Sequence, residues 1–473
     1  MRKRSQAKPS RQRARQSQRS SKEPQPIAAP APAGKGFLQA FAALICPRQW
    51  EVVTAGTGIR RGPKANLPLP QFLMGLVYHF FSGRGSLCEH LRQLLGIDYT
   101  DSAASQRRQA LPWEVFARLM RITLRPLAQR KKHPEAYYKR WRLVATDGVQ
   151  FSLNNSPGIK QECRKAQSRR GRAAFAKMGA AVLLEVGLHN PLAAAMGRHG
   201  ESEGSLAAGL LAQLPGGCLL LADRLYGYAG VLASVLDRCR AVKSEFLVRV
   251  QSGVDARVIQ RLGDGSGLVE VQVRQKGNSH QIVGRLLLRE IRVMVQRGGS
   301  KAEELRLWTS ILDWRQAPAM ELAKLYTQRW EQELYFRQLK HELRRSERLQ
   351  SQTVETAAQE ISAWIISSAL IARERARAAQ GALPVLRVSF VKLVELLRPL
   401  WLVLSLGADL LSPKQQQELT DRFLKEAQRC VTPKRRTRSC PRAVRQPIRG
   451  WPRLKQNRYC NEPVRLTLLP AKR

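Results

Sequence analysis

Acidic residues are scarce in this chain. Only 36 Asp and Glu stand against 81 Lys and Arg among 473 residues, a formal charge of +45. That imbalance points to a polyanionic partner, either nucleic acid or an anionic membrane surface. Long apolar runs are missing too. The most apolar stretch, residues 385–411, is interrupted by Arg387, Lys392, Glu395 and Arg398. It reads as amphipathic or buried helices, and a membrane-spanning helix is excluded. Zinc-site spacing is absent: Cys46, Cys88, Cys163, Cys218, Cys239, Cys430, Cys440 and Cys460 are scattered, with no C-x-x-C pair. Cys218 lies in an apolar run and reads as core, and the whole set suits a reducing compartment. The histidines likewise lack metal-ligand spacing. The first residues, MRKRSQAKPS, have no hydrophobic core behind them, so they do not form a secretory signal. Their Arg/Ser-rich, acid-poor look resembles an organellar transit peptide, but the amphipathic periodicity is weak. Apolar residues make up 43%, enough for a sizeable core and two or three domains.

The basic excess is uneven. Residues 1–35 carry ten Lys/Arg and one Glu and read as a disordered basic tail. Residues 429–473 carry fourteen Lys/Arg and one Glu among frequent prolines, a basic tail that would lie extended on something acidic. Nucleic-acid contact is the favoured reading of both, because the sign bias is so strong, with a non-specific solvated charge run as the alternative. Residues 101–180 hold eighteen Lys/Arg against five acids, so a folded surface is basic as well. Within it, Lys160 to Lys177 contributes seven basic residues and one Glu.

From Phe37 to about Gln129 the pattern is helical. LPQFLMGLVYHFF ends at SGRG, and Ser86 is positioned to cap SLCEHLRQLLG, which stops at Gly96. DSAASQRRQ follows, with Arg107 and Arg108. Short helices of this kind suit a helix-turn-helix-like DNA-binding unit, in which these two arginines would meet DNA; an ordinary small helical bundle fits equally well. The pattern then becomes α/β. WRLVAT is an apolar strand ending at Asp147-Gly148, and CLLLA is another ending at Asp223. Residues 251–312 alternate as β-strands between Gly-rich turns, and a long helix runs from Ala317 to about Leu349.

Metal-assisted phosphoryl transfer needs carboxylates converging on one point, and strand ends are rigid places to hold them. A lone Asp after a strand usually forms a turn. The following helix adds to the case. Tyr326, Arg329, Glu333 and Lys340 stand at relative positions 0, 3, 7 and 14. At about 100° per residue they share a face roughly 60° wide. Leu325, Phe336, Leu339 and Leu343 form an apolar stripe beside it. Arg and Glu at this spacing also make ordinary surface ion pairs.

Tyr326-x2-Arg329-x3-Glu333-x6-Lys340 resembles the Y-R-E-K signature of the insertion sequence four family of bacterial DDE transposases. Asp147 in VATDG looks like the family's first catalytic Asp. Asp223 and Tyr226 in LLLADRLYGY look like its second Asp with the Tyr three residues on. LWTSILD, the β-rich insertion and the DSAASQRR segment are also similar, and the likeness covers roughly residues 37–460. One departure is Val149, where members often carry a small hydroxyl residue.

The resemblance implies an α/β ribonuclease-H-like catalytic core interrupted by a β-rich insertion, with a helical N-terminal DNA-binding region and basic disordered tails. The expected boundaries are a tail over 1–35, a helical DNA-binding domain over 36–135 and the first part of the core over 136–250. The insertion follows over 251–315, the second part of the core over 316–380, a helical region over 381–428 and the second tail over 429–473. Asp147, Asp223 and Glu333 would hold two Mg2+ or Mn2+ ions. Arg329 and Lys340 would hold DNA phosphates, and Tyr326 and Tyr226 would bond phosphate or pack beneath the metal ligands. Some relatives flip a base onto an aromatic ring. Trp308 is a candidate for that role, although its apolar strand makes it look like core, and Trp330 is another residue with a packing alternative. The implied protein cuts element ends and joins them to target DNA, as a homodimer on paired ends, cytoplasmic and nucleoid-associated, with no membrane partner. A catalytically inactive relative acting as a DNA-binding protein is the alternative. An RNA-binding protein fits poorly, since no aromatic RNA-stacking motif is evident.

Overall fold

The computed structural model describes residues 36–56, 67–168, 171–198, 200–251, 254–275, 278–296, 302–343, 348–433, 443–444, 453–454 and 465–470. The tail over 1–35 and most of 429–473 therefore lie outside the described residues.

Six helices come first: α1 (Gly36–Ala42), α2 (Pro47–Thr54), α3 (Leu69–Ser82), α4 (Leu87–Leu95), α5 (Asp101–Gln109) and α6 (Trp113–Thr123). Their ends follow local chemistry. Ser86 accepts from the Glu89 N–H at 3.2 Å, and Glu89 reaches back to the Ser86 N–H, a reciprocal cap on α4. Gly83 and Gly96 stop α3 and α4 in the left-handed conformation, where a side chain would be strained.

A mixed sheet follows, built on β1 (Trp141–Ser152), β2 (Lys177–Glu185), β3 (Asn190–Gly197), β4 (Cys218–Ala222) and β5 (Glu245–Arg249). Their order is β3-β2-β1-β4-β5. The first three are antiparallel, while β1, β4 and β5 run parallel. Central parallel strands are covered on both faces, which is why CLLLA is wholly apolar and wholly buried. Helices α7 (Glu203–Leu211) and α8 (Ala229–Ala241) make the crossovers around β4. The first strand is longer than its sequence implied. WRLVAT does not end at Asp147; the strand continues to Ser152, so Asp147 sits in mid-strand.

The β-rich segment extends the same sheet. Its strands are β6 (Arg257–Arg261), β7 (Gly267–Gln275), β8 (Asn278–Gln296) and β9 (Glu303–Thr309). β9 pairs antiparallel with β5, and β8, β7 and β6 follow outward. A strand from the basic C-terminal segment, β10 (Arg465–Leu468), pairs with β8 at Val293–Gln296.

The chain then turns helical as α9 (Ala319–Tyr326), a 3-10 turn at Thr327–Arg329, α10 (Trp330–Arg337) and a π-helical segment at Gln338–Leu343. The uniform helix expected to about Leu349 is thus three kinds of helix over Ala319–Leu343, and residues 344–347 lie outside the described residues. After it come α11 (Val354–Ala379), α12 (Phe390–Leu406) and α13 (Pro413–Arg429). No helix among the described residues is long and apolar enough to cross a membrane.

Buried nearly all round, α11 packs against α3, α6, α13 and β3. One apolar core therefore runs from Phe37 to Ala427, joining the N-terminal helices to the C-terminal ones. Two further cores lie on the sheet. Glu185, fully buried at the end of β2, stitches the helical part to the sheet. Its carboxylate accepts from the Leu127 and Ala128 N–H groups and from Asn190 Nδ2, each at 3.1 Å, and pairs with Arg142 of β1. Truncating one partner of such a buried network leaves the others unpaired. Glu185→Ala should therefore lower stability by about 3–5 kcal/mol in urea unfolding, and a loss under about 1 kcal/mol would mean the network is not structural.

Candidate active site

Sheet register brings the two aspartates together. Thr146 of β1 lies beside Ala222 of β4 in the parallel ladder, so Asp147, in mid-strand, and Asp223, just past the end of β4, lie on adjacent strands side by side. Asp223 opens a 3-10 turn whose Tyr226 packs back underneath. The Tyr226 hydroxyl is buried and lies 3.4 Å from Thr146 Oγ1. From above, α9 lowers Tyr326 onto the strand end, where its hydroxyl donates to the Ala222 carbonyl at 3.1 Å. Both tyrosines are thus supports beneath the acids. Burial raises both phenol pKa values, so these hydroxyls stay protonated.

The helix bearing the signature is pinned over the sheet by polar contacts. Gln332 Nε2 donates to the Val182 carbonyl of β2 at 3.2 Å. His189, in the left-handed turn between β2 and β3, bonds Glu331 and Gln338, each at 2.9 Å. The Tyr335 hydroxyl meets Ser368 Oγ of α11 at 2.9 Å. With the helix held this way, Arg329 reaches Asp147 Oδ2 at 3.2 Å and Glu333 Oε1 at 2.7 Å. One guanidinium therefore links the first strand's acid to the signature helix's acid.

Lys340 lies elsewhere. Asp147, Val149 and Phe151 alternate onto one face of β1, and the Lys340 ammonium stands 5.6 Å from the Phe151 ring centroid. Four residues of strand, about 13 Å, separate the Lys340 contact from Asp147. The 3-10 and π segments break the uniform 100° step, so the single narrow face expected for Tyr326, Arg329, Glu333 and Lys340 is divided. Tyr326 points into the sheet, Arg329 and Glu333 meet the carboxylates, and Lys340 tracks along β1.

A fourth acid, absent from the sequence reading, completes the cluster. Glu203 at the start of α7 accepts the Gly148 N–H at 3.0 Å, the same N–H that Asp147 Oδ1 accepts at 2.8 Å. Burial, and then the neighbouring Glu203, push the Asp147 carboxyl up to about 7; Asp223 adds to this, while the Gly148 N–H and Arg329 oppose it. Burial also raises Glu203. The site is an electrostatically crowded set of oxygen donors with one organic cation on its Glu333 side. Among the described residues, no three His, Cys, Asp or Glu stand close enough to enclose a metal ion.

The two arginines expected to meet DNA are corrected, and Trp308 takes the core role its apolar strand favoured. Arg108 does not face DNA: it donates to Ser351 Oγ at 2.6 Å and to the Thr356 carbonyl at 2.9 Å, and it covers the Phe80 ring. Arg107 is turned against Phe72. Both brace α5 on α3, so α5 does not present these arginines as a recognition helix would. Trp308 is fully buried and donates to Glu290 Oε2 at 2.9 Å, which rules it out as a base-stacking platform. Trp330, by contrast, is 41% exposed beside Arg329.

The comparisons with known proteins concern the same stretch of chain. Residues 139–370, which carry all three signature acids, match the Transposase DDE domain family. The transposase InsG of insertion sequence element IS4, from Escherichia coli (strain K12), is 28% identical over 362 residues, covering 74% of this chain and 77% of that one. These matches support an insertion sequence four family DDE transposase. A piggyBac transposase in a synaptic complex with hairpin DNA is a looser likeness, with 10% identity and a TM-score of 0.42 over 83% of this chain and 85% of that one.

The raised Asp147 value makes a prediction for the metal-free transposase. The folded state holds a proton that the unfolded chain releases above about pH 4, so this group's stabilisation is full below that pH. It is lost as pH rises through about 7. Asp147→Asn, which fixes the neutral form, should therefore gain on wild type in melting temperature, by a few degrees in chelator, as pH goes from about 5 to about 8. A difference that stays constant with pH would contradict the assignment.

Proposed function

We propose that this DNA transposase binds the ends of its own insertion element and catalyses divalent-metal-dependent strand cleavage and strand transfer, on a ribonuclease-H-like core. The observation that carries the reading is that Asp147 in β1 and Asp223 just past β4 stand on adjacent strands, with Arg329 bonding both Asp147 and Glu333 of α10. The strand order β3-β2-β1-β4-β5, three antiparallel and then two parallel, supports the fold assignment.

The donor set fits Mg2+ or Mn2+, which prefer oxygen ligands and keep water positions open. Asp147, Asp223 and Glu333 would hold two such ions. When bound, the ions would lower the pKa of an attacking hydroxyl or water and stabilise the departing oxygen. The chain's own groups do the rest. Asp147 and Asp223 are fixed by the sheet, so their carboxylates need little reorganisation. Tyr226 and Tyr326 keep the floor beneath them dry and rigid. Arg329 screens the acids from one another before substrate arrives. Once its contact with Asp147 loosens, its fork can take a backbone phosphate bidentately. Lys340, further along β1, would hold the next stretch of backbone. Cleavage breaks a P–O3′ bond by attack of water and frees a 3′-hydroxyl; transfer forms a new P–O3′ bond by attack of that hydroxyl on a target phosphate, whose own P–O3′ bond breaks and releases a target 3′-hydroxyl.

The basic surface over residues 101–180, including Arg164, Lys165 and Arg172 on the segment after β1, suits DNA. Paired ends call for a homodimer, acting in the bacterial cytoplasm on the nucleoid.

Asp147→Asn, Asp223→Asn and Glu333→Gln should each cut end cleavage in Mg2+ or Mn2+ by at least about 10³-fold, the rate equivalent of losing several kcal/mol of charge stabilisation. End binding in gel-shift assays should persist and weaken steeply with salt. A wild-type protein that binds the ends without ever nicking them would overturn the enzymatic reading in favour of a DNA-binding role alone.

A further inference from the structure

The far end of the sheet holds a pocket that the chemistry above leaves unused. Asp223 follows the last residue of β4, whereas the pocket lies where β1 and β5 begin. About 15 Å of strand separates the two. The pocket has a volume of about 390 Å³, within the range that takes a small organic ligand.

Its charge is one-sided. Arg140 comes from the turn before β1, Arg240 from the last turn of α8, and Lys243 from the turn after it. The Arg140 guanidinium lies 4.7 Å from the Trp141 ring centroid, and the Gln316 amide oxygen can accept from it at 3.2 Å. Among the described residues, the side chains of Arg240 and Lys243 have neither a hydrogen bond nor an ion pair. The single acid of the lining, Glu245, is already engaged. Ser310 Oγ donates to its Oε2 at 2.5 Å, and the Phe246 N–H donates to Ser310 Oγ at 3.0 Å.

The walls are apolar. Trp141 and Leu236 are buried, while Leu287 of β8 and Leu312 after β9 remain 42% and 36% exposed. Single exposed leucines are ordinary, but these two border the same basic pocket. A free phosphate ion would use the cations and leave both leucines wet. A phosphodiester brings deoxyribose beside its phosphate, and the sugar's carbon face can cover an aliphatic side chain.

We propose that this pocket is a second, non-catalytic DNA site, in which Arg140, Arg240 and Lys243 hold a backbone phosphate and Leu287 and Leu312 hold the adjoining sugar. This rests on the DNA-binding reading above. It puts a contact about four base pairs or more from the bond that is cut, at about 3.4 Å per pair.

The test is binding of the full-length protein to a fluorescent DNA duplex long enough to pass both sites, read by anisotropy across a salt series without divalent metal. Arg240→Gln with Lys243→Gln should weaken binding about three- to tenfold and lower the salt slope by about one. Arg422→Gln with Lys425→Gln, likewise exposed but on α13, is the control and should stay within about twofold of wild type. Leu287→Thr changes no charge and should weaken binding about twofold or more at an unchanged slope. All three proteins should keep the wild-type melting temperature. A loss in the Arg240 and Lys243 variant no greater than the control's would overturn the inference, and a Leu287→Thr protein that binds as wild type would overturn the sugar contact. Inorganic phosphate separates the two sources of phosphate. If it raises the melting temperature of wild type but not of the Arg240 and Lys243 variant, and that variant binds DNA normally, the pocket takes a free anion and the DNA assignment fails. Wild-type protein that binds no duplex at low salt would overturn the DNA-binding reading as well.

Discussion

Like charges held close together need a partner, and much of this structure can be understood from that constraint. The fold gathers acids at the junction of β1 and β4, in a chain where acids are otherwise outnumbered more than two to one. Burial and mutual repulsion make that cluster costly in its ionised form. Arg329 supplies positive charge on one side. The remaining demand is one that a divalent cation would meet.

The scaffold resists that repulsion through elements far apart in sequence. Parallel strands set the spacing of the two aspartates. Gln332, His189 and Tyr335 hold the signature helix down, and α11 ties that helix to the N-terminal bundle. Glu185 does the same for the segment entering β1. The β-rich strands are an outward extension of the sheet. Trp308, Arg306 and Glu290 pack there as an internal cation–aromatic–carboxylate group, in which Arg306 lies 5.2 Å from the Trp308 ring centroid.

What could be read from the sequence had strong local causes. A central parallel strand is a continuous apolar run, so CLLLA and its following Asp223 stood out, and helix caps at Ser86 and Gly96 declare themselves through their side chains. Asp147 was found, but the strand was cut short because Gly148 resembles a turn residue. Its lack of a side chain in fact makes room for Glu203. Glu203 itself left no sequence signal, because a first-turn glutamate after a serine cap looks like any helix start. Arg107 and Arg108 misled for the converse reason: a short polar helix does not reveal which face is buried, and here the guanidinium groups cover Phe72 and Phe80. Lys340 matched a family spacing but not a uniform helical angle, since the π segment at Gln338–Leu343 redirects it. Val149 packs as core, 7% exposed, so a hydroxyl there is not needed to complete this face of β1.

The central claim is that these carboxylates form a divalent-metal site in which Arg329 is the resident counter-charge. Anomalous diffraction from Mn2+-soaked crystals tests it most directly. The account predicts a manganese peak about 2.0–2.2 Å from an Asp147 carboxylate oxygen, with the Arg329–Asp147 contact opened. Manganese peaks found only away from Asp147, with the Arg329 bridge intact, would contradict it.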